Sequence, residues 1–240
     1  PKLFITCGEH DVADKTVLRV RARVVGAPEG VKGISLFICP KVLPDGKRND
    51  VHCVSIEHKL GIKASPTAVL QYGDHGGAVA ELIGQENRGL EYMFIMMNAA
   101  RYAVGVQGIA LAERAYQHAV AYARERLQGR ALTGAKEADK PADPIIVHPD
   151  VRRVLLTIRA FNEAARAMVV WTALKSDVAH RSADPKDREA ADDHMGLMTP
   201  VMKGVMTDVG FSNSVLAQQM YGGHGYIAEH GMEQFVRDSR

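Results

Sequence analysis

The sequence predicts an α+β chain: a partial antiparallel β-barrel or sandwich domain, followed by an up-and-down α-helical bundle, the whole incomplete at both ends. Three observations predict it. Short runs of alternating or β-branched residues fill positions 1–84, and clusters of glycine, proline and aspartate separate them. Across 84–89 the composition shifts, and from there apolar residues recur at three and four, the period of helices. The domain boundary is therefore set between residues 84 and 85, with a β domain over 1–84 and a helical bundle over 85–240.

In the β region the clearest strand is 16–25, where Arg19, Arg21 and Arg23 alternate with Leu18, Val20, Ala22 and Val24. One face is wet and the other buried. Residues 34–39, 51–56 and 68–72 supply three more β-rich runs and 3–6 a short one, separated by turn-rich segments at 28–33, 40–50 and 61–66. The longest element is 90–129, with an apolar stripe through Met93, Met97, Ala100, Val104, Leu111, Ala115, Ala119 and Tyr122 and no proline. Gly105, Gly108 and Ala112 lie on a second face where another backbone could approach closely. Arg124, Arg126, Gly129 and Arg130 suit a helix C-terminus. The polar segment 133–144 reads as an exposed loop prone to disorder. A second helix starts at Pro149 and Asp150 and runs to about His180; 182–193 reads as a charged exposed connection. A third helix spans 197–221, with Pro200 near its start and Gly222 and Gly223 at its end. A short one spans 232–240. Three long helices and a stub are fewer than a bundle of this size needs to bury its stripes.

Composition narrows the function classes. The chain is 46% hydrophobic and 24% charged, with 30 basic against 28 acidic residues, which argues against both disorder and a nucleic-acid surface. No apolar run approaches the length of a membrane helix. Three cysteines, Cys7, Cys39 and Cys53, have no ligand-like spacing and read as reduced thiols of a cytoplasmic protein. The chain starts at Pro1 with nothing resembling a signal peptide, and a fragment is expected.

Chemistry is sought at the junctions. The histidines form no i, i+4 pair and no metal site is expected; no GxSxG elbow is present, and Gly222-Gly223-His224-Gly225 is not a GxGxxG after a strand. That glycine turn is either a helix cap or a place where backbone amides approach a planar or phosphate-bearing cofactor. Asn98 and Arg101 interrupt the apolar part of the long helix, so Arg101 needs an ion-pair partner or a ligand. Arg126, by composition alone, is a solvated helix-end cation.

Six motifs in order then resemble the middle and C-terminal domains of the acyl-CoA dehydrogenases. They are KLFITCGEH near the start, IEHKLGIKASPT at 56–67, LIGQENRGL at 82–90, MMNAAR at 96–101, YARERLQGR at 122–130 and QMYGGHGYI at 219–227. HKLGIKASPT and MMNAAR are worded most like the 3-methylthiopropanoyl-CoA dehydrogenase subgroup. The resemblance implies FAD as cofactor and oxidation of an acyl-CoA thioester to the 2-enoyl-CoA, by α-proton abstraction and β-hydride transfer to flavin. It places Phe4 and Thr6 against the flavin, with phenylalanine replacing the commoner tryptophan. Arg126 and Gln128 fall on the motif that reaches the FAD of a neighbouring subunit, shortened here by one residue before Gly129. Gln219, Gly222 and Gly223 match positions along the adenine dinucleotide, and Asn98 and Arg101 match the acyl-CoA side of the cleft. The implied partners are an acyl-CoA substrate, electron-transfer flavoprotein as electron acceptor, and a second copy or more of the chain in a homodimer or homotetramer. Neither nucleic acid nor membrane is expected. No catalytic residue is assigned within the chain: the position before Arg101 is Ala100, and the expected glutamate follows Arg237 and Asp238 beyond Arg240, so this chain alone is expected to be inactive. Glu229 and Glu233 are expected only to cap or solvate the last helix. An acyl-CoA oxidase, or a non-catalytic helical scaffold with the same fold, are the alternatives.

Overall fold

The computed structural model describes residues 2–8, 10 and 17–240. Thr16 and Glu9, which the sequence reading included in a strand and a motif, lie outside the described residues, as does the side chain of Leu18. The chain divides into two compact units, Pro1–Met97 and Asn98–Arg240.

The first unit holds six strands: β1 (Lys2–Thr6), β2 (Val17–Ala22), β3 (Ser35–Pro40), β4 (Val51–Ile56), β5 (Thr67–Tyr72) and β6 (Glu81–Ile83). They form two antiparallel three-stranded sheets, β1-β5-β4 and β2-β3-β6, and no closed barrel forms among the described residues. Cys39 of β3 packs with Val51, Ala68 and Leu70 of the other sheet, with Ile5 and Val20 at the margin, so the sheets share one apolar core. All three cysteines are free thiols. β5 buries Ala68, Val69 and Leu70 in succession, so its burial does not alternate along the strand. The expected strands are found within a residue or two except that β2 stops at Ala22. The sequence reading omitted β6: three residues are too few to show a period, and only their pairing with Leu36, Phe37 and Ile38 makes them a strand.

The long helix α1 (Gly89–Glu125) is roughly 55 Å from end to end, and the division between the units falls within it. In the second unit it is joined by α2 (Pro149–Arg181), α3 (Pro185–Met220) and α4 (Met232–Ser239). The buried stripe of α1 runs through Gly105, Gly108, Ile109, Ala112, Ala115, Ala119 and Ala123, whereas Ala100 and Val104 are exposed. The small-residue face is thus the packed one. A Cβ added to Gly108 would sit 2.6 Å from the Met206 carbonyl oxygen, and one on Gly210 would sit 2.6 Å from that of Gly108, so α1 and α3 touch backbone to backbone. Farther along, the alanines of α1 meet Val154, Leu155 and Ile158 of α2, Ala217 of α3 and Met232 of α4. Ile158 is fully buried, a burial worth about 1.5–3 kcal/mol relative to exposure.

Two expected connections differ. The segment 182–193, read as a loop, is mostly the first turns of α3: Asp184 caps the helix by accepting the Lys186 N–H at 2.8 Å, Pro185 occupies its first position, and Arg188 donates to the Ser182 carbonyl at 2.7 Å. Its charges are the solvated face of a helix. Pro200 consequently lies inside α3, where its missing N–H leaves the carbonyl of the exposed Gly196 to water. The 133–144 segment is exposed over much of its length, but it is tied down by a buried aspartate described below. Among the described residues no helix is long and apolar enough to cross a membrane.

Candidate functional site

At the C-terminal end of α1 the second unit opens into a cleft of about 720 Å³, lined by Tyr122, Arg126, Gln128, Gln219, Gly222, Gly223 and His224 among others. Five residues drawn from two separate motifs, more than ninety positions apart, therefore meet on one concavity: Arg126 and Gln128 from the end of α1, Gln219, Gly222 and Gly223 from the end of α3. The chain leaves α1 through Arg126, whose N–H still donates to the Tyr122 carbonyl at 2.8 Å. It then pairs antiparallel with the returning strand at Leu127 and Pro144, held by Gln128 N–H to the Asp143 carbonyl and Asp143 N–H to the Gly129 carbonyl, both 2.9 Å. Gly129 adopts φ +70°, which a side chain would resist, and its open face lies beside the His148 ring.

Asp143 anchors this wall. Its carboxylate is fully buried and accepts N–H groups from Ala131, Lys136 and Glu137, each at 2.9 Å, and a guanidinium N–H of Arg130 at 3.3 Å. The Ala131 and Glu137 N–H bonds lead in holding its pKa down at about 2. Arg130 also donates to the Glu137 and Lys140 carbonyls, at 2.9 and 2.5 Å. A segment with a disordered composition is thus wrapped around one charge pair.

The opposite wall is aromatic. The Tyr122 and Tyr221 rings stack at 4.0 Å between centroids and 17° between planes, and the Tyr122 hydroxyl lies 2.8 Å from His224 Nδ1. The Tyr221 hydroxyl donates to the His118 carbonyl at 3.2 Å, and burial beside Tyr122 pushes its pKa up. At Gly225 a Cβ would collide with the Gln218 carbonyl oxygen at 2.4 Å, and the Gln218 amide closes the turn by donating to the Gly225 carbonyl at 2.8 Å. Gly222 (φ +55°) and Gly223 have open space where a Cβ would stand, so their backbone is accessible from the cleft. His148 Nε2 donates to the Gln128 carbonyl at 2.8 Å. The cleft is electrostatically uneven: Asp150 is held by Arg153 at 2.8 Å, whereas among the described residues the exposed Arg126 has no ion-pair partner. An unspent cation, accessible glycine amides and a stacked aromatic wall together fit a ligand that is planar at one end and anionic near it.

The other expected residues lie elsewhere. Asn98 and Arg101 sit one turn apart on α1, where Arg101 donates to the Asn98 side-chain oxygen at 3.4 Å. They are separated from Arg126 by about 38–42 Å of helix. Phe4 and Thr6 belong to the first unit. Phe4 is largely exposed and left-handed at φ 55°, at the register shift between Lys2 and Ile5, so a bulge turns its ring out of the sheet. The sequence reading passed over Tyr122, Tyr221, His148 and His224 as site residues. A signal existed for two: Tyr122 is one helical turn before Arg126, and Tyr221 directly precedes the paired glycines.

Residues 87–240 match the family described as acyl-CoA dehydrogenase, C-terminal domain. The chain belongs to the acyl-CoA dehydrogenase family. Over its whole length it is 48% identical to the 3-methylmercaptopropionyl-CoA dehydrogenase of Ruegeria pomeroyi, covering 40% of that protein, in keeping with the subgroup resemblance. It is 37% identical to the broad-specificity linear acyl-CoA dehydrogenase FadE5 of Mycobacterium tuberculosis, again over all of this chain and 41% of the relative. Among solved structures, an acyl-CoA dehydrogenase of Bacillus anthracis complexed with FAD superposes with a TM-score of 0.76 at 25% identity, over 99% of this chain and 38% of that one. The chain thus spans about two fifths of the length of these relatives.

Proposed function

We propose that this chain is part of an FAD-dependent acyl-CoA dehydrogenase, with residues 1–84 as its middle domain and 85–240 as its C-terminal helical domain, and that the cleft at the end of α1 receives the adenine dinucleotide end of the cofactor. The observation that carries the reading is the meeting of Arg126, Gln128, Gln219, Gly222 and Gly223 around one cleft, where among the described residues Arg126 has no ion-pair partner. In this reading Arg126 offsets pyrophosphate charge, the Gly222 and Gly223 amides approach it closely, and the two glutamine amides hydrogen-bond its polar edges. Tyr122 and Tyr221 give a flat apolar wall. In the first unit Phe4 would offer its ring to the flavin and Thr6 its hydroxyl to the polar edge of the flavin, as the family resemblance implies. Asn98 and Arg101 face the acyl-CoA.

FAD, when bound, supplies the acceptor for the hydride that leaves the β carbon. The proton on the α carbon must go to a carboxylate. Ala100 has no acidic group, and Glu233 is engaged by Arg237 at 3.2 Å. The acceptor in this reading is the glutamate that the family resemblance implies in sequence following Arg240. Electron-transfer flavoprotein is the proposed electron acceptor, and a homodimer or homotetramer the proposed assembly, in which Arg126 serves the cofactor of a neighbouring subunit. The apolar side chains of Leu156, Val170, Trp171, Leu174, Leu197 and Val205, all exposed in the single chain, support an assembly. The test is anaerobic addition of acyl-CoA thioesters, 3-methylmercaptopropionyl-CoA and butyryl-CoA included, to the FAD-loaded full-length protein of which this chain is proposed to be part, since the chain by itself is expected to be inactive. Bleaching of the oxidised flavin is expected with at least one; a flavin untouched by the whole panel would refute the reading.

A further inference from the structure

We propose that Asp50, His52 and His75, with Asp74 beside them, form a binding site for a divalent transition-metal ion of the Zn²⁺ type. The residues come together because of how β4 and β5 are joined to what precedes and follows them. Val51 pairs with Tyr72 and His52 with Gln71, which brings Asp50 against Gly73; the Gly73 N–H donates to the Asp50 carbonyl at 2.9 Å. The chain then runs Gly73-Asp74-His75-Gly76-Gly77, with φ of +80°, +129° and +112° at the three glycines, angles at which a side chain would be strained. That turn folds back over Asp50. One carboxylate oxygen of Asp50 accepts the backbone N–H groups of His75 at 2.6 Å and Gly77 at 3.2 Å, and the other lies 3.2 Å from His75 Nδ1. The His52 ring stands 5.4 Å from that of His75, and its Nε2 is 3.4 Å from an Asp74 carboxylate oxygen. One donor atom from each of Asp50, His52 and His75 lies within 4.8 Å of the others.

Two of these separations are close to those of ligands around one ion, while the donors of Asp50, His52 and His75 together span up to 4.8 Å. With metal–ligand bonds of about 2.0–2.1 Å in a tetrahedron, neighbouring donor atoms stand about 3.3–3.4 Å apart. The Asp50–His75 and His52–Asp74 pairs already meet that distance. What remains is a rotation bringing His52 toward His75, and both rings can move: the His75 side chain is 77% exposed and that of His52 37%. Two imidazoles with one or two carboxylates select zinc, cobalt, nickel or copper over calcium and magnesium, which prefer all-oxygen shells.

The surroundings prepare the ligands. The His75 and Gly77 N–H groups fix one oxygen of Asp50 and leave the other turned toward the His75 ring. Asn49, buried, fixes the Asp50 backbone by accepting its N–H at 2.9 Å and anchors itself through the Pro40 and Val79 carbonyls. The Gln71 amide takes one oxygen of Asp74 at 2.7 Å, leaving the other facing His52. Fixed carboxylates behind movable imidazoles form the kind of outer shell that orients metal ligands. None of these residues is assigned to flavin or acyl-CoA, so the proposal stands or falls independently of the dehydrogenase reading.

The test is equilibrium dialysis of the chelator-stripped protein against micromolar Zn²⁺, with bound metal measured by atomic emission, beside a Co²⁺ titration followed in the visible region. The parent and a His180→Gln control should bind one ion per chain and show the Co²⁺ d–d bands of a nitrogen and oxygen shell. His75→Gln and His52→Gln should each lower affinity about tenfold or more, and the double variant should lose the bands while keeping the circular dichroism of the parent. Sub-stoichiometric zinc in the parent, or equal binding by the double variant, would overturn the site.

Discussion

Asp143 shows how much order one side chain can hold. Three backbone N–H groups and Arg130 converge on it, and the wall of the cleft from Gln128 to His148 hangs on that cluster. With a folded pKa of about 2 against an ordinary 3.8, the ionised carboxylate contributes stability that is present in full above about pH 4 and is lost as pH falls through about 2. Asp143→Asn should therefore lower Tm at pH 7, by turning an N–H donor against N–H donors, and the gap to the parent should close between pH 4 and 2; thermal melts across that range check it, and a gap independent of pH would contradict the role. Asp143 was not legible in the sequence because its donors are main-chain groups, which carry no residue signature, and its neighbours are lysine, alanine, proline and aspartate. The other side of the site was legible. Arg126, Gln128, Gln219, Gly222 and Gly223 stand in motifs whose order the chain preserves, while His148 and His224 acquire partners only when separate helix ends meet.

At the scale of elements, the closest contact in the bundle is made by what is missing from two glycines. Gly108 and Gly210 let α1 and α3 touch, with a carbonyl 2.6 Å from where either Cβ would be. Gly108→Ala must push the helices apart and should cost about 1–3 kcal/mol, whereas Gly196→Ala, exposed in α3 with nothing near its added methyl, should be neutral or stabilising by up to about 1 kcal/mol. Urea unfolding of the two variants separates contact from propensity; equal effects would sink the close-approach argument. Helical period revealed α2 almost to the residue and α1 at its start, because long stripes repeat many times, but α1 ends at Glu125, four residues before the expected Gly129, where the chain leaves the helix to pair with Pro144. It missed the start of α3, where Asp184 and Pro185 begin a helix whose opening turns bury little apart from Ala191 and so show no stripe. The small-residue face of α1 was read as secondary although it is the buried one: bulk suggests burial in a sequence, but the closest helix packing selects its absence.

At the scale of the whole molecule, Arg101 and Arg126 are held about 38 Å apart along one helix. That distance suits an assembly in which each end of α1 serves a different subunit's chemistry. Light scattering should report a mass above that of one chain, and a monomer at micromolar concentration would contradict the proposed assembly. The central claim is that the cleft at the end of α1 is a cofactor site, and Arg126→Ala tests it most directly. FAD and acyl-CoA affinities of the variant are to be measured in the full-length protein, side by side with those of the parent, by flavin fluorescence and calorimetry. Removing one charge-assisted contact worth about 1.5–3 kcal/mol should weaken FAD about ten- to a hundredfold while acyl-CoA affinity stays within about twofold of the parent. Equal losses for both ligands, or undiminished FAD binding, would contradict it.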